Sequence, residues 1–198
     1  MFCVNKAVHI AILFSTAIAC TIGIGGYSDR VTQAIQLRDG TVYFAQPPRL
    51  TYTATTYNNI YVWGATYYFT VSLPDNAGEP LQKITINQHE GVDDIKFELK
   101  KSYAFEGTRS NEGQKLQLTD VSRDKKTISI TFNPPVSPGK TITIGLKPVQ
   151  NPTVSGVYLF GVTAFPAGEK SHGQFLGYGR LQFYSHRSDS GLFRRPWF

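Results

Sequence analysis

Cysteine is nearly absent. The chain has two in 198 residues, Cys3 and Cys20, both ahead of its first strand-like run. The body of the protein therefore has no thiol nucleophile, cysteine zinc site, iron–sulfur cluster or redox pair. Methionine occurs once, as Met1, and only His89, His172 and His186 follow position 34, so a soft metal would find few ligands. No Gly-x-Ser-x-Gly elbow and no glycine-rich phosphate loop occurs. Beyond residue 34 no window of a dozen residues carries a 3.6-residue apolar stripe, so amphipathic helices are not expected. Charge is not concentrated either. The formal net charge is +6, and the basic residues fall in short pairs such as Lys100-Lys101, Lys125-Lys126 and Arg194-Arg195. That reads first as a solvated surface and second as attraction to anionic envelope polymers; there is no basic stripe for nucleic acid.

What is present begins with a leader. Lys6 precedes an uncharged run, residues 7–26, the architecture of an export signal. The triplet Thr32-Gln33-Ala34 suits a signal peptidase cutting after Ala34. Ala17-Ile18-Ala19-Cys20 resembles a lipobox, which would leave Cys20 lipidated, and the run is also about long enough to be kept as a membrane anchor. Cleavage after Ala34 leaves 164 residues, enough for one domain with a full core and no need of disulfides.

From there the apolar period is two. In "WGATYYFTVSL" the odd positions Trp63, Ala65, Tyr67, Phe69, Val71 and Leu73 are apolar, which predicts a strand with one buried face. The alternation returns at Ile84 and Ile86; Ile95, Phe97 and Leu99; Leu116 and Leu118; Ile128, Ile130 and Phe132; and Ile142, Ile144 and Leu146. Turn-forming stretches separate these runs: "PDNAGEP", "HEGVDD", "RSNEG", "DVSRDKK" and "NPPVSPGK". The expected fold is an all-β, immunoglobulin-like sandwich of about eight to ten strands over residues 35–184, between a signal segment (1–34) and a basic, aromatic tail (185–198) expected to be mobile.

The immunoglobulin reading rests on "TVSGVYLFGVTAF". Strand F of such domains begins Ser-Gly-x-Tyr-x-Cys, the tyrosine hydroxyl bonding back to the main chain and the cysteine bridging the sheets. Ser155, Gly156, Tyr158 and Phe160 match, with phenylalanine in the cysteine's place. Period two then sends Tyr158, Phe160, Val162 and Ala164 inward.

Longer blocks carry a family resemblance. "IQLRDGTVYFAQPPRL", "YVWGATYYFTVSLPDNAGEPLQKITINQHEGVDDIKFEL", "AFEGTR", "TFNPPVSPGKTITIGLKPVQNP" and "GVYLFGVTAFPAGEKSHGQFLGYGRLQFY" together resemble the cyanobacterial envelope family filed as domain of unknown function 2808. The resemblance implies an exported β-rich protein from a cyanobacterium. It implies no activity and no catalytic residue.

Three stretches are weighed for chemistry. "HEGVDD" is a near miss to the zinc-protease motif, with Asp93 where the second histidine belongs and Gly91 in a link too short for the helix that motif needs. Its Glu90, Asp93 and Asp94 are hard oxygen ligands suited to a weak calcium site, against the plainer reading of a solvated turn. The loop "FPAGEKSHGQF" offers Ser171 or Glu169 with His172 to a hydrolase, although adjacency does not show convergence. Gly177 and Gly179 interrupt a strand and predict a bulge or a close backbone approach. Glu169, Lys170, His172, Tyr178 and Arg180 form the first-choice contact surface, with loops at Pro134 to Lys140 and Phe165 to Phe175. No residue set calls for a cofactor. The expected role is an exported, non-enzymatic binding or structural module of the cell envelope. It would meet an envelope protein or polysaccharide, with membrane contact through the leader or through Arg194, Arg195, Trp197 and Phe198. The alternatives are an envelope hydrolase and a calcium binder.

Overall fold

A computed structural model describes residues 35–185. The leader, with its options at Ala34 and Cys20, and tail residues 186–198 lie outside the described residues. Thirteen strands follow in chain order: β1 Ile35–Gln36, β2 Thr41–Tyr43, β3 Arg49–Thr55, β4 Tyr67–Ser72, β5 Leu81–Glu90, β6 Tyr103–Thr108, β7 Asn111–Leu116, β8 Leu118–Asp124, β9 Thr127–Val136, β10 Thr141–Leu146, β11 Gly156–Pro166, β12 Lys170–Ser171 and β13 Gln174–Phe183. Ten of them build two five-stranded sheets, ordered β3-β4-β10-β6-β7 and β13-β11-β5-β9-β8; β1, β2 and β12 form a small ribbon. Within both large sheets every pairing is antiparallel. Among the described residues there is no α-helix.

Alternation makes the core. Ile84 and Ile86 of β5 sit opposite Ile130 and Ile128 of β9 and opposite Ala164 and Val162 of β11. Facing them from the other sheet are Tyr67, Phe69, Val71, Ile142 and Ile144, all buried. Each large apolar side chain so placed contributes about 1.5–3 kcal/mol over leaving it in water.

The strand-F expectation holds in detail. Tyr158, Phe160, Val162 and Ala164 are all buried. The Tyr158 hydroxyl donates to the Val154 carbonyl at 3.0 Å and accepts the Asp93 N–H at 3.4 Å. This is the tyrosine corner. Gly91 permits it: at φ +133°, its missing Cβ leaves room for the Tyr158 ring. Phe160 meets Phe69 across the sheets, centroids 5.7 Å apart at 72°, and Tyr67 at 6.1 Å and 65°. Edge-to-face contacts of this kind add about 0.5–1.5 kcal/mol each beyond burial, so ring packing holds the sheets where immunoglobulin domains place a disulfide.

Five local expectations are corrected. Trp63 does not face the core: it is 66% exposed, because Gly64, at φ +77°, turns the chain before β4 begins at Tyr67. Nor has β4 one buried face, since Tyr68 and Thr70 are buried too. Thr70 Oγ1 bonds Thr143 Oγ1 at 2.9 Å, the Tyr68 and Tyr103 hydroxyls pair at 3.1 Å, and the Arg109 guanidinium lies 5.1 Å from the Tyr68 ring centroid. The Ile95–Phe97–Leu99 run is not a strand. Buried Gln88 captures it first, accepting the Ile95 N–H at 2.9 Å and donating to the Asp93 carbonyl, so Phe97 makes one bridge to Pro148 and Leu99 opens a 3₁₀ turn, Leu99–Lys101. Finally, Leu116 and Leu118 belong to different sheets. The chain crosses between them at Gln117, whose carbonyl accepts the Asn133 N–H at 3.0 Å. "DVSRDKK" is mostly β8, and its turn shrinks to Lys125-Lys126, with Lys125 at φ 50°.

The two strand glycines do what their positions suggest. The β11–β13 register slips between Val162 and Thr163, opposite Gly177, which is the bulge. Gly179 is the close approach: a Cβ there would lie 2.6 Å from Thr53 Oγ1 and 3.0 Å from Phe69 Cε1, where β13 crosses β3 of the other sheet. Gly179→Ala should cost about 1–3 kcal/mol through overpacking, read as a lowered urea midpoint with an unchanged slope. An unchanged midpoint would mean that the two edges are not tightly apposed.

Candidate functional site

The segment between β3 and β4, "TYNNIYVWGA", has turn composition yet carries three large aromatic rings. It is fixed along its whole length. Thr56 closes its base, exchanging main-chain and side-chain bonds with Thr66. Asn58 and Ile60 bond the main chain of Tyr184. The Tyr61 N–H donates to the Pro152 carbonyl at 3.0 Å, and Gln150 Nε2 donates to the Tyr61 carbonyl at 3.0 Å.

Asn151 is the centre of this arrangement. It is 2% exposed. Its main-chain N–H donates to Val62 O at 2.8 Å, and its Nδ2 donates to the carbonyls of Tyr57 at 2.9 Å and Asn59 at 2.8 Å. Its Oδ1 accepts the hydroxyl of Tyr67 at 3.0 Å. Burial, and after it the nearness of Tyr158, push the Tyr67 hydroxyl far above the usual tyrosine range, so it remains a neutral donor. Every polar group of the Asn151 side chain is satisfied, which makes such a buried node rigid.

The loop so held displays Tyr57, Tyr61 and Trp63, each more than half exposed. Tyr61 has φ 61°, a left-handed conformation costly for a bulky residue and maintained only when the surroundings over-determine it. The segment bonded to this loop, Gln150 to Thr153, lines a cleft of about 470 Å³ together with Val92, Asp93, Asp94 and Lys96. Aromatic faces beside a cleft of mixed polarity are suited to binding through stacking and hydrogen bonds.

Two of the three carboxylates of "HEGVDD", those of Asp93 and Asp94, are engaged by the protein, and Glu90 is exposed. Asp93 Oδ2 accepts the Thr153 N–H at 2.5 Å, the Thr153 hydroxyl at 2.8 Å and the Val154 N–H at 3.1 Å. Partial desolvation acts to raise the Asp93 pKa, but these three bonds outweigh it and hold the carboxyl below its ordinary value. Asp94 pairs with Arg123 at 2.7 Å. Among the described residues no three His, Cys, Asp or Glu side chains converge as a metal would need.

The residues of the sequence-derived surface fall into two sets of contacts. Lys170 Nζ donates to the Asp39 carbonyl at 3.0 Å, and His172 stacks on Tyr43 at 4.6 Å, both through the pairing of β12 with β2; Glu169 is exposed beside them. On β13, Tyr178 lies 4.9 Å from His89 and 5.1 Å from Phe175, over the bare backbone of Gly161, while Arg180 donates to Gln182 Oε1 at 3.0 Å. Ser171, Glu169 and His172 make no side-chain hydrogen bond with one another among the described residues. Sequence reading passed over Tyr57, Tyr61 and Asn151 and placed Trp63 in the core. The available signal was aromatic density within a segment of turn composition.

A family model described as "Protein of unknown function (DUF2808)" matches residues 41–183. No curated protein sequence matches the chain. Solved structures similar to it include one described as manganese lipoxygenase of Gaeumannomyces graminis with part of zonadhesin of Komagataella pastoris, at 10% identity and TM-score 0.40, covering 66% of this chain and 48% of that one. The collagen-binding domain of a Staphylococcus aureus adhesin is 14% identical at TM-score 0.35, covering 68% of this chain and 97% of that one. A cohesin module from a Clostridium perfringens family 33 glycoside hydrolase is 9% identical at TM-score 0.31, covering 68% and 98%.

The Asp93 bonds make a pH prediction. Because the folded carboxyl titrates below its ordinary value of 3.8, its stabilisation is fully present above that pH and is lost as pH falls through the folded value. Asp93→Asn should lower stability at neutral pH and flatten the acid limb of the stability–pH curve. Parallel curves for variant and parent would show that the Asp93 charge contributes nothing.

Proposed function

We propose, from the premise that this chain belongs to the DUF2808 family of proteins of unknown function, that it is an exported binding module of the cell envelope whose ligand is a polysaccharide. Export is supported by Lys6 and the uncharged run 7–26. The observation that carries the binding role is the loop of Tyr57, Tyr61 and Trp63, held open to solvent by the bonds of buried Asn151. Folding ordinarily hides such rings. Here polar bonds keep three of them out, in a fixed main-chain conformation, so little ordering entropy remains to be lost on binding.

The ring chemistry favours a sugar. Tyrosine and tryptophan present an apolar face with a polar edge, matching a pyranose, whose C–H face is apolar and whose rim is hydroxylated. The neighbouring cleft supplies both donors and acceptors in Lys96, Gln150 and Asp94. An envelope protein would draw on the same aromatic anchors, but the hydroxyl-rich ligand uses both ring and cleft.

The test is calorimetric titration of full-length protein recovered from the producing cells with polysaccharide isolated from the same envelope. Trp63→Ala and Tyr61→Ala should each weaken binding about tenfold, equivalent to ~1.4 kcal/mol, as expected of anchor residues. Unchanged affinity in both variants contradicts the site, and recovery of the protein from the cytosol contradicts export.

A further inference from the structure

A second groove lies on the outer face of the β3-β4-β10-β6-β7 sheet. The β6–β7 hairpin is kinked by a register slip between Phe105 and Gly107, with Gly107 at φ +97°; bulges of this kind bend and twist a hairpin. Its two-residue turn, Arg109-Ser110, consequently curls back over β4, two strands away, and sets the Arg109 guanidinium 5.1 Å from the Tyr68 ring centroid. Between the hairpin and β3 remains a groove of about 600 Å³ lined by Thr51, Tyr52, Thr70, Thr108, Arg109 and Ser110. That volume lies within the range of small-ligand sites.

Three features of the lining specify a ligand. Arg109 has no carboxylate partner among the described residues, and no acidic side chain lines the groove. Its planar fork is suited to a carboxylate taken through two parallel hydrogen bonds. Tyr52, half exposed, offers an aromatic wall. The third feature is the state of the floor hydroxyls. Thr143 donates its proton to the Gly107 carbonyl at 2.7 Å, so the Thr70 hydroxyl donates to Thr143 at 2.9 Å. Thr51 donates to the Thr70 carbonyl at 3.2 Å. With their protons committed, Thr51 and Thr70 can offer a ligand only lone pairs. A bare sulfate has no proton to give them at neutral pH, whereas the hydroxyls of a sugar do.

We infer that this groove binds an acidic sugar, with Arg109 gripping the carboxylate of a uronate residue, Tyr52 stacking on its ring, and Thr51 and Thr70 accepting its hydroxyl protons. The site is separate from the aromatic loop, and its success or failure is independent of that reading.

The experiment titrates full-length protein with trigalacturonate, with neutral galactotriose and sodium sulfate as controls. Trigalacturonate should bind with an affinity that falls as salt rises, and neither control should match it. Arg109→Gln should weaken it at least tenfold. Arg109→Lys should recover little of the loss, because an ammonium lacks the fork. Tyr52→Ala, a change at an exposed position, should cost several-fold without altering the melting temperature, which keeps the test valid should a change at Arg109 disturb the hairpin. In a Trp63→Ala background, where the aromatic loop is disabled, Arg109→Gln should still weaken trigalacturonate binding at least tenfold. Absence of trigalacturonate binding at millimolar concentration, or equal affinity in Tyr52→Ala and Arg109→Gln, overturns the inference. Sulfate binding as tightly as trigalacturonate also overturns it, by reducing the groove to a simple anion site.

Discussion

The four hydrogen bonds of Asn151 join the protein's interior to its exposed aromatic loop. Through Oδ1 the residue holds Tyr67, whose ring packs against Phe97, Phe160 and Phe183. Through Nδ2 and its main-chain N–H it holds the loop of Tyr57, Tyr61 and Trp63. No apolar residue could serve here, because the carbonyls of Tyr57 and Asn59 would lose their donors and the Tyr67 hydroxyl its acceptor. A buried polar group left unpaired costs about 1–3 kcal/mol. The loop is therefore as well determined as the core that anchors it, although it contains no strand.

The core can bear this because it does not rely on one staple. Phe160 fills the place of the bridging cysteine and touches Phe69, Tyr67 and Phe97 at once, and Tyr158 ties the same strand to the main chain at its corner. Asp93 then caps that corner from outside, gathering the amides of Thr153 and Val154. The corner, the cap and the Asn151 node share the segment from Asn151 to Tyr158. One short stretch thus sets the packing of β11, the mouth of the cleft and the posture of the aromatic loop.

The sandwich was legible in the chain because burial on one face imposes period two, and Ile84 and Ile86 of β5, Ile128, Ile130 and Phe132 of β9, and Tyr158, Phe160, Val162 and Ala164 of β11 follow it. The tyrosine corner and the glycine bulge were legible because each needs a particular residue at a particular step. Other features turned on contacts that periodicity does not encode. Leu116 and Leu118 alternate as one strand would, but the sheet each joins is decided by partners far along the chain. The Ile95 run has a strand's pattern and is diverted by the Gln88 side chain. Trp63 continues the alternation of β4 and is thrown outward by the turn at Gly64. The candidate sites were the least legible part: Asn151 reads as an ordinary loop asparagine until Tyr67, which lies 84 positions away, is known to face it, and Arg109 reads as a solvated turn residue until the hairpin is seen to curl over Tyr68.

Whether Asn151 fixes the aromatic loop is read directly by residue-resolved amide hydrogen exchange in native Asn151→Leu and parent protein. Exchange should be much faster at the Ile60 and Tyr61 amides of the variant, which bond Tyr184 and Pro152, while the amides of β11 that bond β5 stay protected. Equal protection of Ile60 and Tyr61 in both proteins would contradict that role of Asn151, leaving the loop ordered by other contacts.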